Sequence, residues 1–208
     1  MMQLDSSIIP YQSQQPQAQP VESITFMDSD LFKAAEAGDT ETFNKYQGHL
    51  HCLLDGRQNT ALHLHLRAVG IGGRDFSRNF LQQLLDRYPS LLLQSNDRGE
   101  IPLHIAAQYN QHEIVNFLIE RAKVAPPLPH VDLEKGTFSE ATVGWLRTML
   151  RVKDEEGDTA LHKAVGWSDV NLVQLLLKEL DPEFSMCANK MGETPLYIAA
   201  MRSCGEDC

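Results

Sequence analysis

Eight histidines and four cysteines are the residues of this 208-residue chain best suited to hold a metal ion. Zinc sites use Cys and His ligands, usually as pairs at defined spacing on two elements. The one compact group is His49, His51 and Cys52, to which His65 could be added. This group supplies a single loose cluster, so we expect no metal and no other cofactor. A small zinc-dependent enzyme stays as an alternative hypothesis.

The other chemistry-bearing residues form no catalytic pattern. Cys204 and Cys208 lie four apart rather than at C-x-x-C spacing, which favours free thiols. The sequence contains no G-x-S-x-G turn, no phosphate-binding glycine loop and no H-E-x-x-H helix. The stretch 126–129 matches P-x-x-P, although an ordinary loop is the simpler interpretation. We therefore predict that the protein is not an enzyme.

Charge and hydropathy limit the classes of partner. The formal net charge is −10, from 18 Lys and Arg against 28 Asp and Glu, and it would repel a phosphate backbone. We expect no nucleic-acid partner. No apolar run approaches the roughly 18 residues of a membrane span, and the N-terminus has no basic and apolar signal sequence. These patterns predict a cytoplasmic protein with no direct membrane insertion.

The chain divides into a tail and a repeat domain. Residues 1–26 are rich in Gln and Pro and too polar to offset their ordering entropy, which predicts a disordered tail. Residues 27–208 contain self-similar segments. The clear copies are QNTALHLHL (58–66), GEIPLHIAA (99–107), GDTALHKAV (157–165) and GETPLYIAA (192–200), with a weaker copy DLFKAAEAGD at 30–39.

One leucine marks each copy: Leu31, Leu62, Leu103, Leu161 and Leu196. The steps between these markers are 31, 41, 58 and 35 residues, so the first and last lie near 33 and the two long steps need insertions. We place repeat starts near 28, 57, 98, 156 and 191, with an insertion at about 124–150. An apolar series at helical spacing within it, Val143, Leu146, Met149 and Leu150, predicts a short helix. The last repeat is expected to be incomplete.

Each copy carries the signals of a turn followed by a helix. An Asn or Asp that can nucleate the turn precedes a glycine suited to positive φ, at Gly99, Gly157 and Gly192. Gln58 takes the glycine position in the second copy, where we expect the most strained turn. The residues that match a helix N-cap are Thr60, Thr159 and Thr194, and those that match the first helical position are Pro102 and Pro195.

Histidine recurs directly after the marker leucine. His63, His104 and His162 share this position, and Tyr197 fills it in the last copy. A metal ligand would not be exchanged for Tyr, so we interpret these histidines as structural. Small residues, such as Ala106 and Ala107, follow and allow close helix packing. In the second copy this pair is His65 and Leu66, which predicts looser or rearranged packing.

These motifs resemble the ankyrin-repeat family. The resemblance implies an all-α solenoid of helix-turn-helix units that binds other proteins. The longer phrases LLDRYPSLLLQSNDRGEIPLHIAA, EEGDTALHKAV and NKMGETPLYIAA resemble plant ankyrin-repeat proteins of the accelerated-cell-death type. In that family cytosolic repeats precede a C-terminal domain with a PGG motif and membrane-spanning helices. This chain lacks that half, which suggests a truncated form.

The family resemblance implies a binding surface at the turn tips and on the first helix of each unit. The candidate protein-binding residues are Arg57, Arg98, Tyr109, Glu155, Glu156, Lys163, Trp167, Lys190 and Met191. For Trp167 a partly buried core role is an equal alternative, whereas Trp145 is expected to pack the inserted helix. The leading hypothesis is a protein-protein interaction module in signalling or defence. The alternative is the cytosolic regulatory part of a membrane-anchored signalling or transport protein, placed at the cytosolic face of the plasma membrane.

Overall fold

The computed structural model describes residues 25–45, 52–73, 75–126, 144–167, 169–180, 182 and 184–203. Helices dominate them, which confirms the predicted all-α class. The helices are α1 (Ser29–Ala37), α2 (Thr40–Lys45), α3 (Ala61–Gly72), α4 (Arg78–Arg87), α5 (Pro102–Gln108), α6 (His112–Val124), α7 (Gly144–Arg151), α8 (Ala160–Val165), α9 (Val170–Glu179) and α10 (Pro195–Ser203). Pro89–Leu92 and Phe184–Met186 form 3-10 turns.

The helices form five consecutive units. We number them one (α1, α2), two (α3, α4), three (α5, α6), four (α8, α9) and five (α10). The first helix of each unit is called inner, and each inner helix contacts the inner helix of the next unit along the chain. Because a single helix pair cannot bury its apolar stripe, stacking the units creates one continuous core.

Residues at the same position of successive repeats stack on one another, and we call each such set a column. The core contains the apolar columns that the sequence repeats predict. Leu62, Leu103 and Leu161 are at most 4% exposed. Small residues at the inner-helix contacts, such as Ala35, Ala106 and Ala107, are fully buried. The outer helices contribute a wider apolar face, with Leu81, Ile114 and Leu172 at most 1% exposed.

A short parallel strand pair lies beside unit one. Strand β1 (Thr25–Phe26) pairs with β2 (Leu53–Leu54), with Thr25 opposite Leu53 and Phe26 opposite Leu54. The backbone N–H of Met27 extends the pairing by donating to the carbonyl of Leu54 at 2.9 Å. Residues 25 and 26, the last two of the predicted tail, form this strand pair with the segment that precedes α3. Residues 1–24 lie outside the described residues.

The inserted segment returns through a helix, as its apolar series predicts. Helix α7 packs against α6 and buries Trp145, Met149 and Leu150, and the indole N–H of Trp145 donates to the carbonyl of Pro126. Val143 and the prolines at 127 and 129 lie outside the described residues.

Candidate protein-binding surface

One side chain builds the turn that opens each of units two to five. In four units an Asn or Asp Oδ1 accepts hydrogen bonds from the backbone N–H groups two and four residues later, at 2.8–3.0 Å; these residues are Asp55, Asn96, Asp154 and Asn189. Such Asx turns fix the loop backbone without help from a neighbour. The four loops therefore project with the same conformation.

Backbone hydrogen bonds tie successive turns into a row. The N–H of Asp97 donates to the carbonyl of Arg57 at 3.0 Å. The N–H of Glu155 donates in the same way to Arg98, and that of Lys190 to Glu156, each at 2.9 Å. We call residues 56–57, 97–98, 155–156 and 190–191 the tips. Their spacing is fixed because each tip is bonded to the next.

The tips present their side chains to solvent. The predicted binding residues found exposed at the tips are Arg57, Arg98, Glu155, Glu156, Lys190 and Met191. Arg98 forms two ion pairs, at 3.4 Å to Oε1 of the exposed Glu156 in the next tip and at 3.8 Å to Oε1 of Glu100, whose side chain is buried. The carboxylate of Glu100, with a smaller contribution from Glu156, raises the pKa of Arg98. The row is thus polar and mixed in charge.

Lys163 differs from the other predicted binding residues because its side chain points inward. Its side chain is only 15% exposed, and its Nζ lies 2.6 Å from Asp154 Oδ2 and 3.1 Å from Asp158 Oδ2. Burial alone would raise the pKa of Asp154, but the hydrogen bond and charge of Lys163 outweigh it and hold that pKa below its usual value. Lys163 therefore holds the base of the tip of unit four, residues 155–156.

On the concave side of the stack, the residue at one repeat position of each unit can contact the inner helix of the preceding unit. Tyr109, Trp167 and Arg202 all lie six residues after their marker leucine. The indole N–H of Trp167 donates to the carbonyl of Gln108, and the guanidinium of Arg202 donates to the carbonyl of Gly166. Both carbonyls belong to C-terminal ends of inner helices, where the backbone lacks helical donors. These two bonds could not be predicted from the sequence, since Trp167 and Arg202 belong to different residue types.

A groove of about 550 Å³ opens beside these contacts, between α5, α8 and α10. Trp167 is 56% exposed and Met201 59% exposed along it. Tyr109 is half-buried and packs closely on Gly70, where an added Cβ would come 2.4 Å from the ring. Trp167 thus combines an exposed ring with an anchored N–H.

The repeated histidines hold the units together. The N–H of Thr60 donates to Nδ1 of His63, so the hydrogen of the ring is on Nε2, which donates to the carbonyl of Glu100 at 2.9 Å. His104 and His162 bond Asp158 and Glu193 of the following units in the same way, at 3.1 and 3.2 Å. Burial lowers the pKa of His63 to about 4 and lowers those of His104 and His162. These rings are neutral connectors.

Other predicted repeat residues occupy the beginnings of the helices. Pro102 and Pro195 are the first residues of α5 and α10. The hydroxyls of Thr60 and Thr194 accept helix N–H bonds, and those of Thr60 and Thr159 lie 2.8 and 2.9 Å from Nδ1 of His63 and His162. The turn glycines Gly99, Gly157 and Gly192 have φ of 72–80°. Gln58 at the matching position has φ of 58°, in agreement with the expected strain.

His65 shows how the second unit is rearranged. Its Nε2 accepts the N–H of Ser77 at 3.1 Å, so Nδ1 carries the hydrogen and donates to the carbonyl of Ala35 at 3.2 Å. Its ring meets Phe80 edge to face, with 5.1 Å between centroids. The other units have Ala at this position, and here imidazole fills the space between units one and two.

No group of three His, Cys, Asp or Glu side chains within the described residues could hold a metal ion. Cys52 is partly exposed, and both ring nitrogens of His65 are bonded to backbone. His49, His51, Cys204 and Cys208 lie outside the described residues.

The stacked units and their linked tips define an ankyrin solenoid. The family model for ankyrin repeats, in three copies, matches residues 31–126 and 138–208. This chain therefore belongs to the ankyrin-repeat family. Repeats of this kind imply a protein-protein interaction module. In the described part of the chain, no helix combines the length and hydropathy needed to cross a bilayer.

Several curated proteins share the repeats at moderate identity. The chain is 27% identical over 137 residues to a probable 26S proteasome regulatory subunit p28 of Saccharomyces cerevisiae, covering 58% of each chain. It is 32% identical over 104 residues to a poly [ADP-ribose] polymerase tankyrase of Caenorhabditis elegans, covering 48% of this chain and 4% of that protein. It is 27% identical over 149 residues to a nuclear factor NF-kappa-B p105 subunit of Gallus gallus, covering 71% of this chain and 12% of that protein. The chain thus spans 58% or less of the length of these relatives.

Proposed function

We propose that this chain is a non-catalytic module that binds a partner protein along its tips and concave groove. The observation that carries the proposal is the row of exposed tip side chains on a backbone already fixed by Asx turns and tip-to-tip hydrogen bonds. A surface ordered before binding loses little conformational entropy when a partner arrives. The candidate contacts are Arg57, Arg98, Glu155, Glu156, Lys190 and Met191 at the tips, with Tyr109 and Trp167 beside the groove.

Trp167 is the proposed anchor of the interface. Aromatic side chains that are held in place contribute strongly to binding because they bury a large area with few rotatable bonds. The indole N–H is already bonded to Gln108, so a partner would cover the exposed ring without having to satisfy that donor. Lys163 is proposed to act indirectly, by holding the tip of unit four through Asp154.

The printed names of the three relatives support binding rather than shared chemistry. They name a proteasome regulatory subunit, a poly [ADP-ribose] polymerase and a nuclear-factor subunit. Proteins as different as these are not expected to catalyse one reaction, but they can share a scaffold that binds other proteins.

The biological setting is also a proposal. A role in signalling or defence, in the cytoplasm, rests on the resemblance of the repeat phrases to the plant accelerated-cell-death type, and none of the three relatives is of that type. The same resemblance supports the alternative, in which the repeats form the cytosolic regulatory part of a membrane-anchored protein. Transcripts that continue past Cys208 into apolar segments would favour that alternative.

The test compares two triple variants of the full chain in an affinity pull-down read by quantitative mass spectrometry. The first carries Arg57→Ala, Glu155→Ala and Lys190→Ala at the tips. We expect it to capture at least tenfold less partner while its thermal unfolding changes little, because these side chains are exposed and substitutions at such positions usually change stability by about 0.5 kcal/mol or less.

The matched control changes exposed residues of the outer helices, Gln82→Ala, Glu113→Ala and Gln174→Ala. It should retain the partner. A separate Trp167→Phe variant keeps the aromatic ring and loses the N–H, so it should bind better than Trp167→Ala. Equal loss of partner in the tip and outer-helix variants would reject the proposed surface.

A further inference from the structure

A second groove opens on the concave side between α1 and α3. It has a volume of about 500 Å³, and Arg57 of the unit-two tip forms part of its wall. Its lining positions are those of the groove between α5, α8 and α10. Leu64 lies two residues after its marker leucine, as Lys163 does, and Arg67 lies five residues after it, as Gln108 does. The two grooves therefore belong to the same face of the solenoid.

The inner helix of unit two is longer than those of units three and four. Helix α3 has 12 residues, against 7 in α5 and 6 in α8, and Gly73 caps it in the left-handed conformation. The extra turn places Ile71 at the rim of the groove, where its side chain is 70% exposed. The ring of Tyr109 packs on Gly70 within this turn, so unit three holds it in place. The groove thus has a fixed apolar rim that α5 and α8 do not provide.

Two guanidinium groups in the groove are free to bind an anion. Arg57 and Arg67 line it, and neither forms an ion pair within the described residues. The carboxylate of Asp55 is already satisfied in its own turn, because it accepts the backbone N–H of Arg57 and both the backbone and side-chain N–H groups of Asn59, at 2.8–2.9 Å. Glu36 supplies the other carboxylate of the lining. The side-chain charges without a hydrogen bond are therefore two positive and one negative.

The cations of the other groove are already engaged. Lys163 pairs with Asp154, and the guanidinium of Arg202 donates to the carbonyl of Gly166. The concave side is therefore divided in its chemistry. Units one and two offer free guanidinium groups, whereas units three to five offer the ring of Trp167 beside cations that have partners.

We propose that the α1–α3 groove is the subsite for an acidic residue and an adjacent aliphatic residue of the partner protein. This deepens the proposed function and rests on it. The partner carboxylate would lie between Arg57 and Arg67, because guanidinium groups bind carboxylates through charge-assisted hydrogen bonds. The aliphatic side chain would cover Ile71 and the partly exposed ring of Phe32. The charge of Glu36 disfavours a second carboxylate in the same groove.

Residues 1–24 of this chain are the competing occupant. They contain Asp5 and Glu22 and no Lys or Arg, so their charge also suits the groove. However, β1 runs parallel to β2, and the chain enters the strand pair at Thr25 opposite Leu53. The end of β2 that leads to Asp55 and the groove is the opposite one. The geometry therefore favours a segment of another protein, and the tail is one outcome of the test.

The test selects peptides from a displayed library of random sequence on the full chain. We expect the enriched peptides to share an Asp or Glu next to Leu, Ile or Val. Synthetic copies are then titrated with the chain by fluorescence anisotropy. Copies with Asn or Gln in place of the acidic residue should bind about tenfold more weakly, because they lose the charge that the two guanidinium groups bind.

Matched charge variants locate the peptide in the groove. Arg67→Glu reverses one charge of the groove and should weaken binding by about tenfold or more. Arg87→Glu makes the same change at the exposed end of α4 and should bind normally. Thermal unfolding reports whether each variant is folded. Should Arg67→Glu not fold, Arg57→Ala removes the other guanidinium at an exposed tip and should also weaken the peptides.

Glu36→Gln gives an expected change of the opposite sign. It removes the free carboxylate of the groove at nearly the same side-chain volume, so the acidic peptides should bind about twofold or more tightly. A carboxylate with only a structural role would not produce tighter binding. Unchanged or weaker binding by Glu36→Gln would contradict the proposed position of the partner carboxylate.

The outcomes separate this subsite from the binding module as a whole. Peptides that lose affinity in Trp167→Ala but bind Arg67→Glu normally would reject the acidic subsite and leave the proposed function standing. Enriched peptides without Asp or Glu, or no enrichment at all, would also reject it, while the pull-down with the tip variant judges the module independently. Tighter peptide binding by a chain with Asp5→Asn and Glu22→Gln would identify the tail as the occupant and overturn the assignment to a partner.

Discussion

His63 donates from its ring Nε2 to the carbonyl of Glu100 at 2.9 Å, which joins the inner helix of unit two to the turn of unit three. The other ring nitrogen accepts the N–H of Thr60 at the start of the same helix. One neutral ring therefore satisfies both the backbone N–H at the start of its own helix and a backbone carbonyl of the next unit. Both bonds are buried, so replacing the ring leaves two backbone groups without partners.

We expect His63→Ala to lower the free energy of unfolding by about 2–4 kcal/mol, from the unsatisfied groups and the cavity. Urea unfolding followed by circular dichroism measures the change. Tyr197→Ala is the control, because Tyr197 occupies the same column but is half exposed and joins no described following unit. A loss as large for Tyr197→Ala as for His63→Ala would contradict the connecting role of the histidine.

The same burial predicts a dependence of stability on pH. The pKa of His63 is lowered to about 4, below the unfolded value of 6.5, so the folded state prefers the neutral ring. Its contribution is complete above about pH 6.5 and is lost as the pH falls toward 4. For His63 alone this loss is about 3 kcal/mol. His65, His104 and His162 have lowered pKa values from burial and act in the same direction.

Urea midpoints measured at pH 7.5, 6 and 5 test this expectation. The midpoint should fall steadily over that range, and His112→Asn, on the exposed side of α6, should leave the fall unchanged. A midpoint that is constant from pH 7.5 to 5 would show that the buried rings do not control stability.

In unit four the ion pair of Asp154 and Lys163 replaces an uncharged residue pair that units three and five have at the same positions. In units three and five the turn residue is Asn and the residue two after the marker is Ile, as in Asn96 and Ile105. In unit four these positions hold Asp154 and Lys163, whose charges pair at 2.6 Å with the carboxylate fully buried. Lys163→Ile alone leaves that carboxylate uncompensated and should cost about 2–4 kcal/mol.

The double variant Asp154→Asn with Lys163→Ile recreates the pair of units three and five. We expect it to regain most of the stability lost in Lys163→Ile, because Asn can also accept the two turn N–H bonds. Thermal unfolding of the wild type, both single variants and the double variant gives the coupling energy. Additive effects of the two substitutions would mean that the side chains do not act as a pair.

Repetition made the columns of the fold predictable from the sequence. Leu103, Gly99 and Pro102 recur at fixed offsets in several copies, and each recurrence has a local physical cause in burial, positive φ or a helix start. The unusual φ of Gln58 could be predicted in the same way, because the residue departs from a glycine column.

Contacts between columns could not be predicted. Lys163 is a candidate binding residue by its place on an inner helix next to a tip, and the repeat alignment does not show that it pairs with Asp154 in the preceding turn. His65 bonds to Ala35 and Ser77, which lie 30 and 12 residues away in the chain. Irregular segments separate them from His65, so no repeat offset relates the three positions. The donors Trp167 and Arg202 share a geometric role without sharing a residue type.

Replacing Gln58 by glycine, the residue at the matching position of the other turns, should increase the stability of the fold. A φ of 58° costs a non-glycine residue roughly 1–2 kcal/mol relative to glycine. Glycine has greater freedom in the unfolded chain, and losing that freedom on folding offsets about 0.5–1 kcal/mol of the relief. Gln58→Gly should therefore raise the free energy of unfolding by about 0.5–1 kcal/mol, measured in urea. Gly157→Ala is the opposite change, because its Cβ would lie 2.8 Å from Lys190 N at a φ of 80°, and it should destabilise by more than Gln58→Gly stabilises. A loss of stability in Gln58→Gly would show that the side chain makes a contribution larger than the strain of its backbone.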